Sequence, residues 1–565
     1  MVAEVPAKQF TILSATGTYM LISQVPYLLL SSKLSYFSTF ALLWTSQFIC
    51  WAVWRVILWP KFFSPLRKIP GPRSRSWWNG QFSTLHAKHY ELPMSEWANT
   101  ISNDGLIRYL GTFNSECILI TSPEALNEVL TTKCYDFVKP EVIKDRLAPV
   151  VGAGGVLLVE GDEHKFLRKN LTPAFAFRKV KDLYPVFWDK SRDAVKRMSE
   201  HIDAVENTNE PGSKDSKQRT GRTKEAVILQ VDSWANRVSL DIIFLAVLGK
   251  DLGSIKDPDT PLSHTYRTAF KRSASRTYEI LLLFLPVWLA KMIPLKGRED
   301  SNTAANSIRN ACRQLIREKA ESFEKDKSAS LDILSVALET GLFNEENLTD
   351  QVMTFFAAGH VTTSAALVWA IYILCIHPEM QTKLRQEIRE NLPGIDEDTN
   401  ISSQQIDHMH YLNAICNEVL RCYPPVPFTP RVAVRNTSIC GHKIPSGTNV
   451  MLSTLAVHKS NKLWPNAEEF NPNRWIPSEA NPHSANGGSP SNYSYMPFLH
   501  GPRNCIGMGF AKGEFACLLA GWIGRFEFSL ADERHMDGNR MKWKGTMTAR
   551  PTDGLLVKVK FVNGW

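Results

Sequence analysis

The sequence predicts a mainly α-helical fold with a small β region, arranged as a single large domain behind an N-terminal membrane anchor. Three observations predict this architecture. Uncharged apolar stretches open the chain, a long apolar segment lies in its middle, and only short runs rich in β-branched residues interrupt the helical pattern. No shift in composition divides the rest of the chain, so we expect one domain.

Composition excludes several classes of protein. The 565 residues include ten cysteines, and no two of them have CxxC spacing, so neither a disulfide scaffold nor a structural zinc site is indicated. A reducing environment that faces the cytosol fits this cysteine usage. The net charge of +9 is modest for this length and is compatible with an acidic partner or an anionic membrane surface. We expect no nucleic-acid partner.

The anchor is predicted from two apolar stretches, Thr11–Leu30 and Phe37–Trp54. The second, continued to Trp59, reaches the roughly 20 residues that a membrane span needs. A cleaved signal peptide would have a shorter apolar core near a basic N-terminus. Because cations follow the second stretch, the positive-inside rule predicts a cytosolic domain. Whether one or both stretches span stays open; the cations are Arg55, Lys61, Arg67, Lys68, Arg73 and Arg75.

These features give expected boundaries of 1–60 for the anchor, 61–75 for a basic, proline-rich hinge and 76–565 for the catalytic domain. Pro70-Gly71-Pro72 cannot continue a helix and fixes an extended turn. This turn is either a stiff hinge that orients the domain on the membrane or an ordinary loop.

Within the domain, one long helix and a few short strands can be predicted. Val352–Ile376 carries no charge, and a helix over Glu345–His377 would be about 50 Å long. Its polar centre suits a helix that lines a cavity better than one that faces lipid. Strands are expected at 117–121, 155–159, 432–439 and 449–454.

Cys505 lies in an unusual setting, FLHGPRNCIG. Gly501 and Gly507 allow a tight turn and close approach to a flat ligand. An apolar helix follows, and its N-terminus would stabilise a thiolate. Local chemistry leaves three possibilities open: an axial iron ligand with Arg503 beside a haem propionate, a nucleophile served by His500, or a structural thiol.

A wider pattern favours the first possibility. Phe498, Gly501, Arg503, Cys505 and Gly507 match F-x-x-G-x-R-x-C-x-G in full, which resembles the haem-binding signature of the cytochrome P-450 superfamily. The resemblance extends from about Arg67 to the C-terminus, and the anchor and hinge look like those of microsomal, fungal-type members. It implies one haem b, bound through the Cys505 thiolate in a cytochrome P-450-type haem domain.

Two further motifs follow the family's order. Glu418 and Arg421 form an E-x-x-R pair that the family joins to a later arginine, here Arg474, in a structural network. In the central helix, AGHVTT resembles the oxygen-binding segment, which implies that Gly359 lets the helix open over the haem and that the Thr362 hydroxyl helps deliver protons. The family's usual acid is replaced by Val361, so a carboxylate relay is not available there.

Other residues are expected at the haem propionates. His164 stands where the family commonly has tryptophan, and Arg168 keeps its place four residues later. Arg431 is a further contact of the type seen in the family. A basic run from Lys165 to Lys181 is either a docking face for an acidic reductase or a solvated helix face.

The resemblance implies a monooxygenase of the endoplasmic-reticulum membrane, with its domain in the cytosol. It would insert oxygen from O2 into a lipophilic small molecule, plausibly of secondary metabolism, with electrons from NADPH through NADPH-cytochrome P-450 reductase. Alternatives are isomerisation, dehydration or peroxide-driven oxidation on the same fold, and a haem-binding protein without turnover. Segments near 135–160, near 280–290 and after Pro427 are apolar enough to line the substrate pocket.

Overall fold

Helices make up most of the chain, as the sequence predicts. The computed structural model describes residues 5–24, 35–73, 76–87, 91–208, 227–260, 264–265, 292–293, 296–325, 332–479, 484–536, 543–545 and 548–565. Its helices are α1 Ala7–Gln24, α2 Tyr36–Phe63, α3 Phe82–Ala87, α4 Glu91–Thr100, α5 Pro123–Asn127, α6 Glu141–Val151, α7 Gly161–Leu171, α8 Phe177–Lys181, α9 Tyr184–Thr208, α10 Val231–Leu248, α11 Lys296–Lys325, α12 Ile333–Glu339, α13 Glu345–Ile376, α14 Pro378–Asn391, α15 Ser403–His408, α16 His410–Cys422, α17 Thr454–His458 and α18 Met508–Arg525.

The β region is small and consists of short strands. In the described part of the chain, a five-stranded mixed sheet has the order β1-β2-β8-β5-β3, and a three-stranded antiparallel sheet has the order β4-β12-β9. The pairs β6-β7 and β10-β11 complete the region. The strands are β1 Leu106–Leu110, β2 Glu116–Ile120, β3 Phe137–Val138, β4 Val227–Gln230, β5 Phe428–Ala433, β6 Thr437–Ile439, β7 His442–Ile444, β8 Asn449–Ser453, β9 Phe526–Leu530, β10 Trp543–Gly545, β11 Ala549–Pro551 and β12 Leu556–Phe561.

Two strand predictions need correction. The stretch 155–159 forms turns, because its backbone lies against α13: Val156 N donates to Gln351 Oε1 at 2.8 Å, and a Cβ on Gly155 would collide with Thr354 Oγ1. The stretch 432–439 does not form one strand, because β5 ends at Ala433 and β6 begins at Thr437. Apolar composition identified both segments as buried but could not distinguish a strand from a packed turn.

Helix α13 lies inside the domain and organises the core. It begins at an asparagine cap, where the Asn344 side chain accepts a hydrogen bond from Asn347 N, and it ends before Pro378. Most of its apolar length is buried although it is long enough to cross a membrane. Phe356 stacks on Phe244 of α10 with ring centroids 3.9 Å apart. Neighbouring helices therefore bury the apolar surface that this helix carries on all sides.

The two N-terminal helices lie outside this core. The predicted stretch Thr11–Leu30 is helical to Gln24, and residues 25–34 lie outside the described residues. Helix α2 is long and apolar enough to cross a membrane, and its last part, Val53–Phe63, is wound as a π-helix. The Pro70-Gly71-Pro72 segment runs along β1, where Arg108 N donates to Pro70 O at 2.8 Å.

Candidate active site

A tight turn before α18 presents Cys505. Cys505 N donates to Phe498 O at 2.9 Å, which closes the turn. Gly501 has φ +75°, and a Cβ there would collide with Leu130 O, so this position requires glycine. Helix α18 begins at Met508, so Cys505 precedes its first turn.

The Cys505 side chain is exposed although protein surrounds it. Burial by the surrounding protein raises the pKa of the Cys505 thiol, while the Gly507 N–H and the Arg168 charge lower it. The Gly507 N–H and the Arg168 charge therefore favour the thiolate, but they do not by themselves offset the effect of the surrounding protein. A bound metal ion would supply the missing stabilisation, since a coordinating thiol is deprotonated.

Gly507 has a different role from Gly501. Its φ of −90° is available to any residue, and the nearest atom to an added Cβ is Phe175 Cε1 at 3.9 Å. The Phe175 ring also meets Phe355 of α13 at 5.2 Å between centroids. The cysteine turn and α13 therefore line one interior region, and the absence of a Cβ on Gly507 leaves an open face on the turn.

On α13, the predicted oxygen-binding segment faces this region. Ala358 is exposed inside an otherwise buried helix, and Thr362 is partly exposed, with Oγ1 donating to Ala358 O at 2.8 Å. The helix does not open at Gly359, contrary to expectation. A Cβ on Gly359 would come within 2.7 Å of Ile243, so close packing of α10 on α13 explains this glycine.

Three arginines predicted to bind propionates surround the turn. Arg168 of α7 donates to Asn504 O at 2.5 Å and to Asn504 Oδ1 at 2.6 Å. Arg503 donates to Phe137 O at 2.5 Å and pairs with Glu160 at 2.5 Å. Arg431 is buried and, among the described residues, has no carboxylate within ion-pair distance. Burial, then the nearby Arg503 charge, lowers the pKa of Arg431 to about 9.

Near the turn, the structure adds Lys139 and Glu160, which sequence reasoning missed, and it describes the surroundings of the predicted residue His164. Lys139 lies 3.8 Å from Glu160, and burial lowers the pKa of Lys139 well below its ordinary value. His164 is buried, with Nδ1 3.3 Å from Tyr135 Oη, and burial lowers the pKa of His164 to about 4. His164 is therefore a neutral hydrogen-bonding group. No motif marks Lys139 or Glu160, because the fold, not sequence spacing, brings them to the turn.

A second polar cluster contains the predicted E-x-x-R pair. Arg421 donates to both Glu418 oxygens, from Nη2 at 2.8 Å and from Nε at 2.9 Å. Arg474 Nε donates to Glu418 Oε1 at 3.0 Å, so the structure brings the three charges together. Trp475 Nε1 also donates to Glu418 Oε2 at 2.8 Å. Arg421 and Glu418 are fully buried, and backbone groups complete the cluster: Arg421 also donates to backbone carbonyl oxygens, and Glu418 also accepts from a backbone N–H.

Two buried polar residues beside α13 were also missed. Glu514 of α18 is fully buried, and burial raises its pKa to about 8, while the Ser239 and Thr363 hydroxyls lower it. Arg550 Nη2 donates to Val361 O at 2.7 Å and to Ser364 Oγ at 2.9 Å. Glu514 had a sequence signal, since it is a single acid in the apolar run after Cys505.

Together these groups fit a flat, anionic, metal-containing cofactor. An accessible sulfur stands on a turn with one open glycine face, and a buried arginine without a carboxylate partner lies in the same cation-rich surroundings. Anionic groups of a ligand would offset that positive charge. Cys505 supplies an exposed soft ligand to this arrangement, as axial iron ligation by thiolate requires.

Comparison with known proteins agrees with this chemistry. A family model described as cytochrome P-450 matches residues 70–559. The chain is 44% identical to cytochrome P-450 monooxygenase sphH of Aspergillus fumigatus, covering 94% of each chain. It is 37% identical to cytochrome P-450 monooxygenase ALT8 of Alternaria alternata, over 91% of this chain and 93% of that one. It is 38% identical to cytochrome P-450 monooxygenase FUM15 of Gibberella moniliformis, over 90% of each.

Proposed function

The chain belongs to the cytochrome P-450 family of haem-thiolate monooxygenases, and we propose that Cys505 is its axial iron ligand. We also propose that the protein oxidises a lipophilic small molecule, an intermediate of secondary metabolism. The observation that carries the residue assignment is the exposed Cys505 side chain on a turn that Arg168 and Arg503 flank. When bound, the haem b of this family activates O2 and supplies one oxygen atom to the substrate.

The cations around the turn would hold the haem carboxylates. Arg431 lacks a carboxylate partner among the described residues, and Arg168 is already held beside Cys505 through Asn504. Arg503 is anchored to β3, and neutral His164 can serve as a hydrogen-bond donor. The Phe498 carbonyl and Gly501 hold the turn, and Gly507 leaves space for a ring against it.

The Glu418 cluster keeps the surrounding structure rigid. Arg421 joins α16 to the loop after α17 by donating to Ala467 O at 2.7 Å and Glu469 O at 2.7 Å, and Arg474 ties the following turn to the same carboxylate. A satisfied buried network of this kind fixes one arrangement of its segments. We assign these three residues a structural role.

Thr362 is the proposed proton-handling residue of α13. Its hydroxyl donates to Ala358 O and lies at the accessible part of the helix, where it can exchange a proton with water or substrate. Gly359 acts by letting α10 pack closely, which keeps this face of α13 in place. Val361 offers no carboxylate, so the proton path differs from the usual family arrangement.

We further propose an endoplasmic-reticulum location, with anchor 1–60, hinge 61–75 and the catalytic domain 76–565 in the cytosol. The length of α2 and the cations after it support this arrangement. Electrons would come from NADPH through NADPH-cytochrome P-450 reductase.

Of the three segments expected to line the pocket, the one near 280–290 lies outside the described residues.

The test of the iron ligand is Cys505→Ser, with Cys440→Ser as the matched control on a partly exposed turn. We expect Cys505→Ser to lose the Soret band of the CO complex that marks thiolate-ligated haem, and to lose NADPH-dependent turnover. Cys440→Ser should keep both. An unchanged band in Cys505→Ser would exclude this ligand.

The absence of an acid at Val361 favours a second group of reactions on the same fold. These are isomerisation, dehydration and peroxide-driven oxidation, which need no acid at this position. Product formed from substrate alone, or from substrate and peroxide, without NADPH and reductase would support this group. NADPH consumption that depends on substrate, with an oxygenated product, would support the monooxygenase. A haem protein with no product under any of these conditions would support a non-catalytic role.

A further inference from the structure

Helices α1 and α2 form an antiparallel pair. Gln47 Nε2 of α2 donates to Ser14 Oγ of α1 at 3.0 Å. Gly17, further along α1, faces Leu43, which comes earlier in α2; a Cβ on Gly17 would stand 3.2 Å from Leu43 Cδ1. Since later positions of α1 meet earlier positions of α2, the helices run in opposite directions.

The polarity of this pair is the reverse of that in a water-soluble bundle. Its interface contains small and weakly polar side chains: Ser14 is 0% exposed, Thr18 4% and Thr39 2%. Phe10 also packs there against Trp44, with ring centroids 6.2 Å apart, but many other large apolar side chains point outward, and Leu13, next to Ser14, is 59% exposed. The outward set includes Ile12, Leu13, Tyr19, Met20, Phe37, Leu42 and Ile49.

This arrangement suits hydrocarbon on the outside of the pair. In a bilayer, apolar contact does not drive helices together, so small residues that allow close approach and interhelical hydrogen bonds form the interface. In water, the same outward residues would form an exposed apolar surface of the kind that marks an interaction site. Lipid chains are therefore the occupant that fits this surface.

The lengths of the two helices also match. Helix α1 has 18 residues, which gives about 27 Å. The uncharged part of α2, Phe37–Trp54, also has 18 residues before Arg55. Helix α1 is the less apolar of the two and carries Lys8 in its first turn, so its uncharged part has 16 residues, about 24 Å, against the roughly 30 Å of a bilayer core. The ends of the pair therefore lie at similar depths.

Beyond the apolar part, α2 is attached to the catalytic domain. Asn114 Nδ2 donates at 2.7 Å to Val56 O in the π-helical part of α2. Arg108 Nη2 donates to Pro60 O at 2.6 Å, and Ser64 Oγ donates to Glu116 Oε1 at 2.5 Å. The end of the helix pair that carries the domain is thereby fixed.

We propose that α1 and α2 cross the bilayer together as a helical hairpin. The residues before α1 and the catalytic domain then lie on the same, cytosolic side, and the connection between the helices lies on the other. This inference rests on the membrane location in the proposed function, and it distinguishes the chain from one with a single N-terminal span, whose N-terminus would lie in the lumen.

The test maps topology with N-glycan acceptors in the full chain, expressed in microsomes. One variant carries an Asn-Ser-Thr acceptor on a flexible extension before Met1, and another carries it on a flexible insert between Ser31 and Ser32. The hairpin predicts a glycosidase-sensitive mobility shift for the insert alone. A shift for the N-terminal acceptor overturns the hairpin in favour of one span, and no shift for either overturns it in favour of helices that do not cross.

Internal controls separate this result from the proposed function. The domain has five natural acceptors, which stay unmodified if it faces the cytosol: Asn170, Asn347, Asn400, Asn436 and Asn492. Their glycosylation, or release of the chain by alkaline carbonate, would contradict the proposed membrane arrangement itself and the hairpin with it.

A cross-linking experiment tests the helix contact directly. In a Cys50→Ser background, Ser14→Cys with Gln47→Cys should form an oxidative cross-link within one chain. The control pair, Leu13→Cys with Gln47→Cys, should not, since Leu13 points away from α2. Equal yields for the two pairs would contradict the packing on which the hairpin depends.

Discussion

Two buried glutamates in this protein show opposite solutions to the same electrostatic problem. Glu418 of α16 and Glu514 of α18 are both 0% exposed. Glu418 accepts hydrogen bonds from Arg421, Arg474 and Trp475, and it is an ion-paired carboxylate. The two Glu514 oxygens have no hydrogen bond of ordinary geometry among the described residues, and no cation lies within ion-pair distance of them there.

The difference teaches that burial alone does not decide the charge of a side chain. Removing a carboxylate from water is costly, and only well-placed donors offset that cost. Glu418 has these donors and is suited to hold three segments together. Glu514 has the Ser239 and Thr363 hydroxyls nearby, which lower its pKa less than burial raises it, so it is largely protonated at neutral pH.

The largest effect on stability is expected when the charge of Glu418, the hydrogen-bonded glutamate, is removed. Glu418→Gln removes the carboxylate that the buried Arg421 and the nearly buried Arg474 share. Breaking a buried ion cluster on one side typically costs about 3–5 kcal/mol. We expect a loss of this size in the free energy of unfolding, measured by urea denaturation in detergent, together with reduced haem content.

The matched control removes a carboxylate from an exposed pair. Asp162 is 95% exposed and pairs with Lys165 at 2.7 Å. Asp162→Asn should leave the free energy of unfolding almost unchanged, because solvent screens this exposed pair. Equal losses for the two variants would show that burial of the Glu418 cluster has no special energetic role.

For Glu514, the glutamate without such hydrogen bonds among the described residues, the substitution Glu514→Gln is expected to stabilise the protein at alkaline pH. The folded pKa of about 8 lies above the ordinary value of 4.5. Since the folded state retains the proton, the contribution of Glu514 to stability is fully present below pH 4.5 and is lost as pH rises through 8. Glutamine resembles the protonated acid and does not titrate. The variant should gain on the order of 4 kcal/mol at pH 8 relative to the parent and under about 1 kcal/mol at pH 5, since the two pKa values differ by about 3.5 and each pKa unit corresponds to about 1.4 kcal/mol.

The measurement is the difference in the free energy of unfolding between variant and parent at each pH. Taking this difference cancels the other titrating groups that the two proteins share. A difference that does not change between pH 5 and pH 8 would show that Glu514 is ionised in the folded protein. That result would remove the contrast with Glu418.

A double-mutant cycle sharpens the comparison at the level of one hydrogen bond. Trp475→Phe removes the indole donor 2.8 Å from Glu418 Oε2. Its coupling with Glu418→Gln should be about 1.5–3 kcal/mol, as for other hydrogen bonds to charged groups. Trp522 is a control, because its buried Nε1 has no acceptor among the described residues. Trp522→Phe with Glu418→Gln should be additive within about 0.5 kcal/mol.

The contrast between the two glutamates also shows how far sequence reasoning reaches. Spacing of three residues identified Glu418 and Arg421 as neighbours on one helical face, and the family motif supplied Arg474. The helix expected over Glu345–His377 followed from the uncharged run Val352–Ile376 and from Pro378, and the structure ends it at Ile376. These features are local, or they belong to a recognised pattern.

Features that depend on tertiary packing could not be predicted. The pKa of Glu514 depends on α10 and α13 packing around it, and the fold brings Lys139, just after β3, to Glu160, just before α7. Gly359 was expected to open the helix, but its neighbour Ile243 comes from a segment more than a hundred residues away. Sequence spacing contains no information about such partners.

The smallest effect is expected from adding a carboxyl group at Val361, where its surroundings would be intermediate between those of Glu418 and Glu514. Val361 is partly exposed, and its carbonyl accepts a hydrogen bond from Arg550, a buried cation. A new acid there would therefore have a cation near it, as Glu418 has, while it also reaches the accessible face of α13 beside Thr362. Val361→Asp should raise the product formed per NADPH consumed by less than about tenfold, a change of under about 1.4 kcal/mol in relative barriers.

The control for this change is Val361→Asn, which has a similar shape and polarity but cannot transfer a proton as an acid does. Both variants are measured with reductase by comparing product, NADPH consumption and released peroxide. An increase in coupling for Val361→Asp alone would show that the missing acid limits proton delivery in the parent. Equal effects of the two substitutions, or lower coupling with the acid, would mean that Thr362 and its water already deliver protons fast enough, so that the departure at Val361 has no catalytic cost.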